Sequence, residues 1–483
     1  MKFLKYILAG VTAVALAATF SACGGDEDDP EDPGNPGGGE EVEDPSVKPD
    51  DPVSGWDTPL PSGPALSDAD AKNYLEQTAN LVADCFKPED QRPLVDMADA
   101  FIRDYGNYEF NEYDDEYDDV EYSRKTSSRG VRSFFEAIRR AIASGDYMAL
   151  SRSAFSVVTF ENFTGVYVPD TKNEVFVRDS ESDKFVIIFY KDGTKCELQV
   201  SQEGATWSLD VSDFSDGEVS TVKVPRKLHF NLTEGSTSRM HGTLETFWRD
   251  GSSMIVNADL TVANIRGVAK FSSSNTDAKL QEWLYISGDL IQTSTASVKG
   301  SGLVTLSALK GLMKEEVETW SDGYNTYYES WYEWDEDAVA RMFHSGNCTC
   351  NLLNRVLVTA EVPTSASFED LGEGYYDSYD FDDNRTAARQ ACQNWCDKVN
   401  RGVITDLCLG STTPSASLTW QPAFHEYVSE YDTYWYFEPE PVIAFSDGTT
   451  YGIEEYGKTN FTSFKTRLSS LVNAYKAMFN AVH

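Results

Sequence analysis

The side chains best able to do chemistry gather in the last third of the chain. Five cysteines lie there: Cys348, Cys350, Cys392, Cys396 and Cys408. Cys348 and Cys350 alternate in a strand-like run and so share a face, while Cys392 and Cys396 stand four apart in a helix-like run and share a face too. If that strand packs on that helix, the four thiols meet, with His344 and Cys408 near in sequence. Three outcomes are open: one or two disulfides, reduced buried thiols, or tetrahedral zinc. Neither spacing is the C-x-x-C knuckle, and none of the three implies catalysis. The five residues stand as a candidate disulfide cluster.

Rings beside carboxylates form the second constellation. "WSDGYNTYYESWYEWDED" holds Trp320, Tyr328, Trp331 and Trp334, and "FHEYVSEYDTYWYFEPEP" holds Tyr434 and Trp435. Flat rings stack on the C–H faces of sugars, and carboxylates accept their hydroxyl hydrogens. These six are the candidate ligand-binding residues. The same mixture also suits paired strands, in which rings support one another across the ladder and acids face water.

Catalytic signatures are missing from the sequence. No nucleophile elbow, P-loop or dinucleotide fingerprint occurs. His425-Glu426 starts like a helical zinc-protease motif, but position 429 is Ser rather than His. The chain has only five histidines. A carboxylate pair of the glycosidase kind cannot be picked out among 79 acids. The expectation is a non-enzymatic protein with no catalytic residue, no resident metal and no cofactor.

The elements that would position these residues read as α+β. A helix is expected from Ser67, where Asp70 completes a capping pattern and Leu75, Ala79, Val82 and Phe86 follow at helical spacing. A second is expected from Pro93, with Leu94, Met97, Phe101 and Tyr105 along one stripe, and a third over 131–143. Together these predict a helical bundle over 66–150. From 151 to 310 the period drops to two, with "EVFVRD", "KFVIIFY", "CELQV", "WSLDV", "LHFNL", "TLETFW" and "MIVNADLTV" as strands. Short turns between them demand antiparallel pairing, hence a long β-meander. One turn recurs as aromatic-x-Asp-Gly, at 190–193, 214–217, 248–251, 320–323 and 445–448, and Asp-Gly suits a tight hairpin. Region 311–483 mixes elements: helices over 335–343 and 384–400, a buried strand "CTCNLLNRVLVTAEV", and a closing amphipathic helix. That last helix carries Phe461, Phe464, Leu468, Leu471, Tyr475 and Met478 on one side, and its expected seat is the concave side of the sheet.

The N-terminus sets the location. Lys2 and Lys5 precede an apolar run that ends in Ser21, Ala22 and Cys23, too short for a spanning helix. An acidic cluster follows at once, from Asp26 to Asp32. This stretch resembles the lipobox of bacterial lipoproteins, with Phe20 where the usual Leu stands, and the export signal of surface-exposed lipoproteins of Bacteroidetes. The resemblance covers about the first thirty residues. It implies cleavage after residue 22, lipid attachment at Cys23, and an outer-membrane protein facing the cell exterior. In that oxidising setting disulfides are plausible. Residues 23–65 are acidic and rich in Gly and Pro, and read as a disordered tether reaching roughly 35 Å. The net charge of −39 repels nucleic acid. Three functional readings remain open: a non-catalytic binding protein for glycans or another extracellular ligand, an apolar-ligand carrier with a curved sheet and helical lid, or a structural or adhesive surface component. The partners expected are the membrane, through the lipid, and a glycan or small apolar ligand.

Overall fold

A computed structural model describes residues 60–106, 108–110, 157–210, 221–321, 326–367, 384–428, 433–452, 456 and 461–480. The lipobox, Cys23, most of the tether and the expected helix over 131–143 lie outside these residues. The fold is α+β and is dominated by one mostly antiparallel sheet of 18 strands.

The sheet is a meander over most of its width. One end holds four short to medium strands, β1 (Glu109–Phe110), β3 (Gly165–Asp170), β4 (Val175–Ser180) and β5 (Phe185–Lys191). The remaining short strand of this region, β2 (Val157–Thr159), runs parallel to β7 (Thr221–Glu234). β1–β4 and β3–β5 are also parallel. From β5 the sheet continues by antiparallel neighbours: β6 (Thr194–Asp210), β7, β8 (Thr237–Arg249), β9 (Ser253–Val262), β10 (Ile265–Ser274), β11 (Asp277–Ile286) and β12 (Asp289–Gly300). β13 (Met313–Ser321) and β14 (Thr326–Trp334) form a separate two-stranded ribbon. The main sheet then resumes with β15 (Phe343–Leu352), β16 (Val356–Val362), β17 (Ile404–Leu409), β18 (Pro414–Val428), β19 (Thr433–Phe445) and β20 (Thr450–Gly452). The meander therefore runs well past residue 310.

Strand boundaries differ from the sequence reading in two places. "CELQV" and "WSLDV" are two parts of one long strand, β6, which changes register between Glu203 and Thr206 where Gly204 takes a φ of 80°. "CTCNLLNRVLVTAEV" is a hairpin rather than one strand, because Leu353 and Asn354 both adopt positive φ and turn the chain. Of the recurrent turns, Asp192-Gly193 has both residues at positive φ, as a tight hairpin requires.

Side-chain alternation gives the sheet two chemically different faces. Tyr167, Ile187, Leu198, Leu232, Met240, Val262, Ile265 and Ile286 are successive ladder partners, an apolar row crossing eight strands. Helices cover parts of this face. α1 (Asp68–Cys85) inserts Ala71 among Leu407, Leu409, Ala416, Ile443 and Phe445. The Ser67 hydroxyl caps it by accepting from the Asp70 amide at 3.3 Å. α2 spans Pro88–Tyr105, so it starts five residues before Pro93, with Pro88 in its first turn. Its expected stripe does bury: Met97 and Tyr105 join Phe176, Phe185, Phe189 and Cys196, with Leu94 and Phe101 beside them.

Two short helices and two long ones complete the described fold: α3 (Leu306–Lys310), α4 (Glu336–Met342), α5 (Arg385–Gly402) and α6 (Thr462–Asn480). α4 is capped by Asp335 and α5 by Asn384. α6 does not sit in the concave side of the sheet. It packs on α1 and α2, joined by Ser463–Glu76, Asn80–Ser463 and Tyr475–Gln91 hydrogen bonds. α1 and α2 already occupy their stretches of the apolar face, which leaves α6 the outer layer. Helix packing at this end thus brings α6 onto α1 and α2, and the third helix of the expected bundle, over 131–143, lies outside the described residues. The tether also stops earlier than expected: Leu60 is buried, and Pro61, Gly63 and Pro64 accept hydrogen bonds from Thr412, Thr413 and Ser411. Among the described residues, no helix is long and apolar enough to cross a membrane.

Candidate functional site

The polar face of the sheet builds a site across β7–β10. Asn231, His241, Thr261 and Arg266 are successive partners in one cross-strand row. His229, Thr243 and Asp259 form the row beside it. Together they floor an open cleft of about 590 Å³. Period-two alternation explains the arrangement, since the same strands send Leu232, Met240 and Val262 to the opposite face. Gly242, between the two rows, is required: a Cβ there would lie 2.3 Å from the Asp259 carbonyl oxygen.

Charge in the cleft is paired. Arg266 donates to both Asp259 oxygens, at 2.9 and 2.6 Å, and its guanidinium sits 5.5 Å from the centre of the Tyr285 ring. That bidentate contact raises the Arg266 pKa further and keeps it charged. His229 Nε2 lies 2.5 Å from Glu203 Oε2, and Lys227 Nζ lies 3.3 Å from the same oxygen. These hydrogen bonds, His229 first, hold the Glu203 carboxyl below the ordinary carboxylate range. The side chains of Asn231, His241, Thr243 and Thr261 offer donors and acceptors beside these balanced pairs.

The aromatic residues singled out from sequence fall on two separate strand pairs. Trp320, Tyr328, Trp331 and Trp334 belong to the β13–β14 ribbon, where Trp320 is opposite Tyr327 and Trp331 opposite Glu316. Tyr434 and Trp435 belong to β19 of the main sheet. Trp435 packs with Trp420, Phe437 and Trp395 around α5, and Arg385 lies over both Trp435 and Phe424, at 5.2 and 5.1 Å. At Trp435 the rings are a helix-packing cluster.

The five cysteines of the expected cluster separate as well. None of the seven described cysteines forms a disulfide. Cys348 and Cys350 do share the apolar face of β15, and Cys392 and Cys396 do share the buried face of α5. α5, however, packs on β18 and β19, three strands beyond β15, and Cys408 on β17 alternates to the other face. Burial pushes the Cys350 and Cys408 thiols up. Cys396 is raised by its hydrogen bond with Cys392 and by burial. Cys350, Cys396 and Cys408 are thereby kept protonated and poorly reactive, whereas Cys348 is exposed.

Sequence reasoning missed the β7–β10 cleft because Asn, His, Thr, Asp and Arg spaced two apart on different strands carry no local motif. The usable signal was the polar alternation in "LHFNL" and "MIVNADLTV". No family model, no curated protein and no solved structure matches the chain.

Proposed function

We propose that the protein is a lipid-anchored protein of the outer membrane, facing the cell exterior, that binds a neutral polar ligand in the β7–β10 cleft without transforming it. A glycan is the ligand class that fits. The carrying observation is the cleft floor: Asn231, His241 and Thr261 offer hydrogen-bonding groups in a row, beside charges already neutralised by one another. A charge-balanced site in a chain of net charge −39 favours hydroxyl-rich ligands over ions. The lipobox resemblance at Cys23 supports the location. The absence of catalytic motifs in the sequence supports binding without turnover.

The test is titration of the full chain with a panel of polysaccharides, read by calorimetry. Asn231→Ala and His241→Ala should each weaken binding about tenfold, the loss of roughly 1.4 kcal/mol expected from a hydrogen bond. Trp331→Ala should leave affinity unchanged. Binding that survives both cleft substitutions but fails in Trp331→Ala would move the site to the β13–β14 ribbon. No binding across the panel would remove the glycan reading.

A further inference from the structure

A second polar cluster lies on the β18–β19 hairpin, far along the sheet from the cleft. His425 is the ladder partner of Tyr436, while Glu438 and Glu440 follow Tyr436 at intervals of two on β19. All four therefore share one face, the one opposite to Phe424, Trp435 and Phe437, which faces α5. One ligand atom from each of His425, Glu438 and Glu440 lies within 4.8 Å of the others. The imidazole is held parallel to the Tyr436 ring, 5.1 Å between centres and 17° between planes.

We propose that His425, Glu438 and Glu440 form a binding site for a first-row divalent metal ion, with zinc the best fit. Three observations converge. First, His425 Nε2 lies 3.2 Å from an oxygen of Glu438 and 3.2 Å from an oxygen of Glu440. Metal–ligand bonds of about 2.0–2.1 Å in tetrahedral geometry separate their donors by about 3.3 Å, so the two His–Glu edges already match those of a zinc site. Second, Nε2 is shielded from solvent yet makes no hydrogen bond of acceptable geometry. A bound cation would give that nitrogen the partner it lacks. Third, among the described residues no Lys or Arg pairs with Glu438 or Glu440, so two carboxylates stand together with only the imidazole between them.

The donor set narrows the ion. Calcium takes six to eight oxygens, and magnesium holds mostly water and carboxylate, whereas one imidazole with two carboxylates suits zinc and its first-row neighbours. Three protein ligands leave a fourth position open to water or to an oxygen of a ligand. The helical zinc-protease pattern fails at Ser429, but the strand supplies what the helix does not: the alternation of β19 brings Glu438 and Glu440 to the same side as His425.

The test uses the full chain, stripped of metal with a chelator and titrated with zinc by calorimetry, with calcium in parallel. The wild-type chain should take up one equivalent of zinc that His425→Ala, Glu438→Gln and Glu440→Gln each weaken by at least about tenfold. Calcium should bind this site far more weakly. Zinc uptake identical in the wild type and all three variants would overturn the proposal and assign any binding to thiols or other histidines. So would a His425 imidazole that NMR shows protonated at neutral pH and unmoved by zinc, since the cluster is then a His–Glu ion pair. The two Gln variants are isosteric and sit on a half-exposed strand face, so circular dichroism should report an unchanged fold. Because the cluster is remote from Asn231 and His241, failure here leaves the glycan reading of the cleft standing, and the reverse also holds.

Discussion

Glu282 shows how one side chain can set a pH response. It lies on the apolar face of β11, opposite Ala269 on β10 and Ser294 on β12, and one carboxyl oxygen is buried without a partner. Burial raises its pKa above the ordinary value. The folded state then holds its proton to a higher pH than the unfolded chain does. Stability contributed by the protonated form is complete below the unfolded value of about 4.3 and is lost as pH rises through the raised folded value. Glu282→Gln, which cannot ionise, should melt higher than the wild type by roughly 2 °C at pH 8 and at the same temperature near pH 4. Thermal melts of both chains across that range would show it. A difference of equal size at every pH would sink the explanation. His425 and the cysteines make the complementary residue-scale point. Types and spacings were legible, but their partners come from neighbouring strands or from elsewhere in the sheet, which no spacing along the chain encodes.

Elements were legible where their own periodicity is strong. The stripe Leu94, Met97, Phe101 and Tyr105 read as the buried side of a helix because it recurs every three to four residues, and α2 buries it. The start of α2 was misplaced because Pro93 suggested a first turn, while Pro88 serves that role and Pro93 is carried inside. Its anchoring predicts a clear energetic asymmetry. Met97, 1% exposed, should cost about 2–5 kcal/mol when changed to Ala. Leu81 on α1, 43% exposed, should cost less than about 0.5 kcal/mol. Urea melts of the two variants decide it, and equal costs would mean that α2 is not held by this cluster. α6 was read correctly as amphipathic, yet periodicity only says that one side is apolar. Which surface covers that side depends on what α1 and α2 leave free.

At the scale of the whole molecule, charge and topology dominate. The net charge of −39 makes the chain repel itself, and added salt screens that repulsion. The melting temperature at pH 7 should therefore rise by roughly 3–5 °C between ~10 mM and ~0.5 M sodium chloride. An unchanged or lower value would show that local pairs such as Arg266–Asp259 outweigh the net repulsion. The sheet's two faces have a matching division of labour: the apolar one seats α1, α2 and α5, and the polar one carries both the β7–β10 cleft and the β18–β19 cluster.

The amino-acid sequence by itself determined the α+β class, the meander and most helix positions. Alternation with period two and stripes with period three to four are properties of the backbone within one element. It also carried the lipobox resemblance at Cys23. Only the tertiary structure decided which strands neighbour one another, and with that every site described above. Cross-strand register joins Asn231 to His241 and Thr261, and brings Glu438 and Glu440 beside His425, while it parts Cys350 from Cys392. Register is settled by pairing and burial summed over the whole sheet, so the information lies between elements rather than within any one of them.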